Sequence, residues 1–112
     1  MKLIVIAAIA ALLTTDTAIA DSRYEAGRKA YAIMQAGAEY CPDIEETWTA
    51  LAIIREGYGY DPLKADDAEY GRVLLEKQKM FDTFRTSPRV LVCDMLMQEF
   101  GPGARVHLFQ FR

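Results

Sequence analysis

Cys41 and Cys93 are the two thiols of the chain. Two thiols support a disulfide, a redox couple or soft-metal ligation. A redox couple is usually written Cys-x-x-Cys near a strand-helix junction, and these two lie 52 residues apart. Zinc needs about four Cys or His ligands at close spacing, and His107 is the one histidine present. An even cysteine count in a short exported chain reads as a disulfide framework. The expectation is one bridge, Cys41–Cys93, with Cα atoms about 5.5 Å apart. Closing a loop of that length stabilises a fold by about 4 kcal/mol in the chain-entropy model.

The remaining chemistry-bearing residues do not assemble into a catalytic set. A Ser-His-Asp or Cys-His arrangement would need a nucleophile activated by His107, which lies in an apolar tail. Ser22 and Ser87 stand where helices should begin and read as caps. Glu45 with Glu46, and Asp66 with Asp67, are adjacent in sequence, so each pair diverges on a helix and suits glycosidase-type catalysis poorly. Asp61, Asp66, Asp67 and Glu69 form an acidic run. Counted from Asp61, positions 3 and 5 of an EF-hand loop would be Leu63 and Ala65, which offer no side-chain oxygen. No Gly-x-Gly-x-x-Gly, Walker loop or His-Glu-x-x-His occurs. The sequence therefore predicts no cofactor, no metal, no catalytic residue and no enzyme.

Two stretches carry candidate binding residues instead. Gly57-Tyr58-Gly59-Tyr60-Asp61-Pro62 is a glycine-aromatic loop. Trp48, Tyr58, Tyr60 and Asp61 could form a binding lip there; the competing reading makes Trp48 a core anchor with the tyrosines packed over one end of the fold. The tail, residues 104–112, contributes Val106, Phe109 and Phe111 as candidates. That tail reads as an extended strap over the helices, as an arm that adds to a partner, or as a frayed terminus.

These groups must be positioned by a small exported domain. The chain has 112 residues, enough for one domain. Met1-Lys2, the apolar run Leu3–Leu13 and Ala18-Ile19-Ala20 follow the three-part pattern of a signal peptide. Thr14-Thr15-Asp16-Thr17 ends the run short of the roughly 20 residues a membrane span needs. Cleavage after Ala20 is expected, giving a periplasmic or secreted protein without stable membrane insertion. That cleavage removes Lys2 and Asp16, one charge of each sign, and leaves the net at −3. The mixed, mildly acidic charge excludes a basic nucleic-acid footprint and a polybasic membrane segment.

Apolar residues recur at helical spacing in four segments. The first runs from Ser22 to Tyr40, with Ser22 and Glu25 at capping-box spacing and with Gly27, Ala30, Gly37 and Ala38 small enough for close helix approach. The second starts at Asp43, capped with Glu46, and ends near Glu56 with Gly57 as the left-handed terminator. A short turn over Pro62–Ala65 precedes the third, from Asp66 to about Arg85. Asp66 and Glu69 form its capping box; Tyr70, Val73, Leu74, Lys77, Met80, Phe81 and Phe84 form its inner face. The fourth runs from Pro88 to Phe100, with Ser87 as cap and Val90, Leu91, Cys93, Leu96, Met97 and Phe100 facing inward or flanking the seam. Gly101-Pro102-Gly103 stops it. The expected layout is a signal peptide over 1–20, a helical domain over 21–103 and an apolar tail over 104–112. The expected fold class is all-α: a four-helix orthogonal bundle closed by one disulfide, with an extended C-terminal tail.

A leader, a helical mature chain and one long-range disulfide resemble the HdeA-type acid chaperones of the Gram-negative periplasm. Cys93, Asp94, Leu96, Phe100 and Gly101, written Cys-Asp-x-Leu-x-x-x-Phe-Gly, are similar to a pattern in small exported Gram-negative proteins with no assigned activity. The resemblance implies architecture and compartment, and no residue role. Function is expected to be non-catalytic: binding another envelope protein, as monomer or homodimer. Acid-activated chaperoning and inhibition of an envelope-targeting toxin or hydrolase, with Tyr58, Tyr60 and Asp61 as plug, are the competing expectations.

Overall fold

The computed structural model describes the backbone from residue 15 and side chains from residue 22, to Arg112. The expected leader lies outside the described residues as far as residue 14. No helix among the described residues is long and apolar enough to cross a membrane.

A 26-residue helix, α1 (Thr15–Tyr40), is the axis of the fold. Its alanines favour helix and keep it thin enough to be surrounded. Ala30, Ala32, Met34, Ala36 and Cys41 are all buried. The helix runs through Ser22 rather than starting there, so the expected Ser22 cap is not made. It stops at Pro42, whose ring has no N–H to continue the ladder. Glycine lets neighbours close on α1 at two points. A Cβ on Gly27 would lie 2.5 Å from the Tyr60 Cβ, and one on Gly37 would lie 2.6 Å from the Phe109 ring.

Residues expected to open the second helix form a strand instead. β1 (Ile44–Glu46) pairs antiparallel with β2 (Phe109–Phe111), in the register Ile44 with Phe111, Glu45 with Gln110 and Glu46 with Phe109. Hydrogen bonds from Thr47 N to Leu108 O (2.9 Å) and from Arg112 N to Asp43 O (3.1 Å) extend the seam. A capping box is a local preference, and here the distant strand partner overrides it. The tail is therefore a strap over the helices: Leu108 and Phe109 are fully buried.

The second helix, α2 (Ala50–Tyr58), starts at Thr49 and runs through Gly57. Gly59, not Gly57, is the terminator, with φ +68° and its N–H donating to Arg55 O at 2.9 Å. A 3-10 turn follows over Pro62–Lys64, capped by Asp61, whose carboxylate accepts from Leu63 N. Helix α3 (Asp67–Phe84) begins at Asp66, whose side chain accepts from Glu69 N at 2.8 Å. Helix α4 (Arg89–Phe100) follows Pro88, which itself occupies the cap position expected for Ser87.

Helix α1 packs against α3, α2, β1 and α4, while β2 packs on α4. The described residues are thus mostly helical, with four helices and one short two-stranded sheet. The sheet departs from the expected all-α class. The disulfide stands as expected: Cys41 and Cys93 are bridged, with Cα atoms 5.8 Å apart. It ties the end of α1 to the middle of α4.

Candidate binding surface

The predicted lip and tail residues do not form one surface. Tyr60 is 0% exposed, and its ring packs edge-on to Tyr24 with centroids 4.8 Å apart. Phe109 is also 0% exposed, between Gly37 and Phe100. Both are core residues, which corrects their expected place on the surface. Tyr58, Asp61 and Val106 are half-buried. Trp48 is 95% exposed, the opposite of a core anchor, because β1 ends just before it and fixes its neighbour Thr47 inward. Phe111 is exposed at the sheet edge. With Tyr60 inside, a plug of Tyr58, Tyr60 and Asp61 lacks its middle residue.

The tyrosine is buried because it serves a carboxylate. Glu69 is 5% exposed and takes four hydrogen bonds from three side chains. Arg28 of α1 donates with Nε to Oε1 and with Nη2 to Oε2 at 3.1 Å. Arg72 Nη1 donates to Oε2 at 3.1 Å, and the Tyr60 hydroxyl donates to Oε1 at 3.1 Å. The Arg28 hydrogen bonds hold the Glu69 carboxyl below the usual carboxylate range, against the opposing pull of burial; Arg72 and Tyr60 add to the lowering. Burial, and then the bond to Glu69, pushes the Tyr60 phenol upward. Only the Asp66 half of the expected capping box forms; the Glu69 side chain turns inward and rivets α3 to α1. The signal was present in the sequence. Glu69 lies four residues before Val73 on the inner stripe of α3, where a charge demands a buried partner. With its oxygens occupied, this group is a structural joint.

Lys77, the flaw in that stripe, is resolved in the same way. Its Nζ lies 2.8 Å from Glu39 Oε1 on α1. His107 sits in the strap with its Nε2 buried and no hydrogen-bond partner among the described residues. Ser22 and Ser87 are exposed. No group of three or more His, Cys, Asp or Glu among the described residues is placed to hold a metal.

Apolar surface collects on the outside of the two long C-terminal helices. On α3, Tyr70, Leu74 and Leu75 are exposed; on α4, Val90, Leu91 and Met95 are. Tyr70 and Leu74 were expected inside, but the buried stripe of α3 is Glu69, Val73 and Phe84. Val90 and Leu91 were expected to face inward or flank the seam, and both are exposed. Val92 and Leu96, four residues apart, take that face, because the disulfide fixes the rotation of α4. Polar Arg89, Asp94, Gln98 and Glu99 are spread around the helix with apolar residues between them, so its exposed surface is mixed.

Hollows flank α4 on both sides. One, of about 360 Å³, lies over the disulfide and is lined by Cys41, Pro42, Asp43, Val90, Asp94 and Phe111 among others. The second, of about 200 Å³, is lined by residues including Phe84, Ser87, Leu91 and Met95. A volume of 360 Å³ is near the lower bound for a ligand site. Thus α4 presents a ridge between two hollows, and the sequence expectation that binding residues lie in the loop and tail finds only Phe111 here. No family model, curated protein or solved structure matches this chain.

Proposed function

We propose that this chain is a non-catalytic accessory protein of the bacterial envelope, exported by cleavage after Ala20, that works by binding another envelope protein. The observation that carries this reading is the outer face of α4. Leu91 and Met95, four residues apart and so side by side, are exposed on a helix pinned by a disulfide, with Val90 exposed on its other flank. Large apolar side chains grouped at one place mark a contact surface more often than scattered ones do. Pinning the helix reduces the ordering cost of association. The bridge also suits an oxidising compartment.

Capture experiments test it. The wild-type protein, cross-linked in intact cells, is expected to recover a specific envelope protein, and Leu91→Glu with Met95→Glu is expected to lose it without loss of folding. Recovery of the same set by both proteins, or of nothing by the wild type, refutes the reading. Trimming the tail is not a clean alternative, since Phe109 belongs to the core.

The buried Glu69–Arg28 pair favours acid-activated chaperoning as a second reading. Protonating Glu69 would uncouple α3 from α1 and uncover the apolar rows between them. Suppression of client aggregation at pH 2 to 3 and not at pH 7 is the expected result. Equal inactivity at both pH values removes this reading.

A further inference from the structure

We infer that the Cys41–Cys93 bridge exchanges with small external thiols through Cys93: an incoming thiolate bonds to the Cys93 sulfur and expels Cys41. A disulfide is attacked at one sulfur at a time, and access helps decide which. Both cysteines border the hollow of about 360 Å³ beside α4, but they differ in exposure. Cys41 is 0% exposed, whereas Cys93 is half-buried. Val90, three residues before Cys93, and Met97, four after, share its side of the helix and line the same hollow. Val90 is exposed, so the hollow leads from solvent to the Cys93 end of the bridge. Asp43 and Asp94 at this hollow are offset by Arg89, which also lines it, and by Arg112, bonded to the Ile44 carbonyl of its wall. Charge there neither draws nor repels an anion, so access decides the reaction. The site lies on the opposite flank of α4 from Leu91 and Met95, and is independent of the binding proposed for that face.

The external thiol first gives its proton to water. Its thiolate bonds to Sγ of Cys93 as the Sγ–Sγ bond breaks, and the electron pair of that bond leaves with Cys41. The Cys41 thiolate stands in the core, where a charge is costly. It takes a proton from water, or it attacks Cys93 again and expels the external thiolate. A second external thiolate that attacks the outer sulfur of the mixed disulfide releases Cys93 as a thiolate. The external thiols then leave joined as a disulfide, having given two electrons to the bridge. Run backwards, the same steps close the bridge from an external disulfide, with Cys93 bonded first and Cys41 resolving it. Cys93 is thus the position that carries the external thiol in either direction.

Reduced glutathione is the probe. Folded wild-type protein is mixed with it at about pH 8, where thiolate is available, quenched in acid at short times, digested and mapped by mass spectrometry. Glutathione is expected on Cys93 in about tenfold excess over Cys41, since a fully buried sulfur reacts only after local opening. Urea below the unfolding transition should leave the rate within about twofold, because the folded protein reacts. A route through the unfolded chain would instead speed up about tenfold per molar urea. Val90→Trp crowds the hollow from an exposed position and should slow exchange by about fivefold, with the urea midpoint and far-ultraviolet spectrum of the wild type. Glutathione equally on both cysteines or mainly on Cys41 overturns the inference. So does a bridge that yields no adduct before urea unfolds the chain, or Val90→Trp exchanging at the wild-type rate.

Discussion

Replacing Glu69 by glutamine tests the joint between α1 and α3. The substitution keeps the shape and removes the charge. Arg28, whose side chain is only 15% exposed, then keeps its charge without a counter-ion. Arg72 is 59% exposed and turns to water. Breaking a buried pair by removing one partner costs about 3–5 kcal/mol. The lower bound applies here, since one of the two arginines is solvated and the amide oxygen still accepts from Tyr60 or Arg28. About 3 kcal/mol is therefore expected at pH 7. With a urea m-value of about 1.5 kcal/mol/M, the midpoint should fall by about 2 M. Arg28→Met alone should cost a similar amount. Arg28→Met with Glu69→Leu should cost much less than the sum, because an apolar replacement of both partners leaves no orphaned charge. The pH dependence has a fixed sign. The carboxyl of Glu69 is depressed in the fold, chiefly by the Arg28 hydrogen bonds. Its contribution is complete above the unfolded value, near about 4.3, and is lost as pH falls through the folded value. The gap between wild type and Glu69→Gln should therefore narrow below about pH 4. Urea curves followed by circular dichroism from pH 7 to pH 2, with the disulfide intact, measure all of this. A cost under about 0.5 kcal/mol, additive single variants, or a gap that does not change with pH would refute the reasoning.

Three further outcomes follow from the packing. Gly37→Ala should destabilise by about 1–3 kcal/mol, since the new methyl meets the Phe109 ring at 2.6 Å; a thermal midpoint equal to wild type would contradict that approach. Trp48→Ser should change stability by less than about 0.5 kcal/mol, and in the wild type the tryptophan emission maximum should hardly move on unfolding, since the indole is already in water. Reducing the bridge, or replacing both cysteines by alanine, should cost about 2–5 kcal/mol, read as the shift in urea midpoint.

Elements set by local chemistry were legible in the sequence: the Asp66 start of α3, the Asp61-Pro62 turn and the stop at Pro42; the Cys41–Cys93 pairing, though it spans 52 residues, was legible because two cysteines allow one intramolecular bridge. The other contacts set by distant partners were not. Asp43 and Glu46 carry a sound helix-start signal, and only the tail 65 residues on turns Ile44–Glu46 into a strand. Trp48 reads either as part of a binding lip or as a core anchor, and its exposure, set by the strand that ends at Glu46, removes the anchor reading. The outer face of α4 was hidden because its polar residues, Arg89, Asp94, Gln98 and Glu99, are spread around the helix among apolar ones, so periodicity could not say which side faces water. Glu69 was legible in principle, as a charge on an apolar stripe, and its local capping role masked it.

The pairing of β1 with β2 also dictates an order of assembly. Residues 108–111 complete contacts that begin at Gly37 and end at Thr47, so the first third of the domain cannot bury its core until the last residues are available. Contacts so far apart in sequence form late and slow a fold that is otherwise built of fast local helices. A chain emerging residue by residue would hold α1 to α4 as loosely associated helices, with Gly37 and Ile44 uncovered, and would close in one step as the strap arrives. The interval before closure is when the two thiols are free to meet an oxidant and when the apolar rows are open to aggregation or to a chaperone.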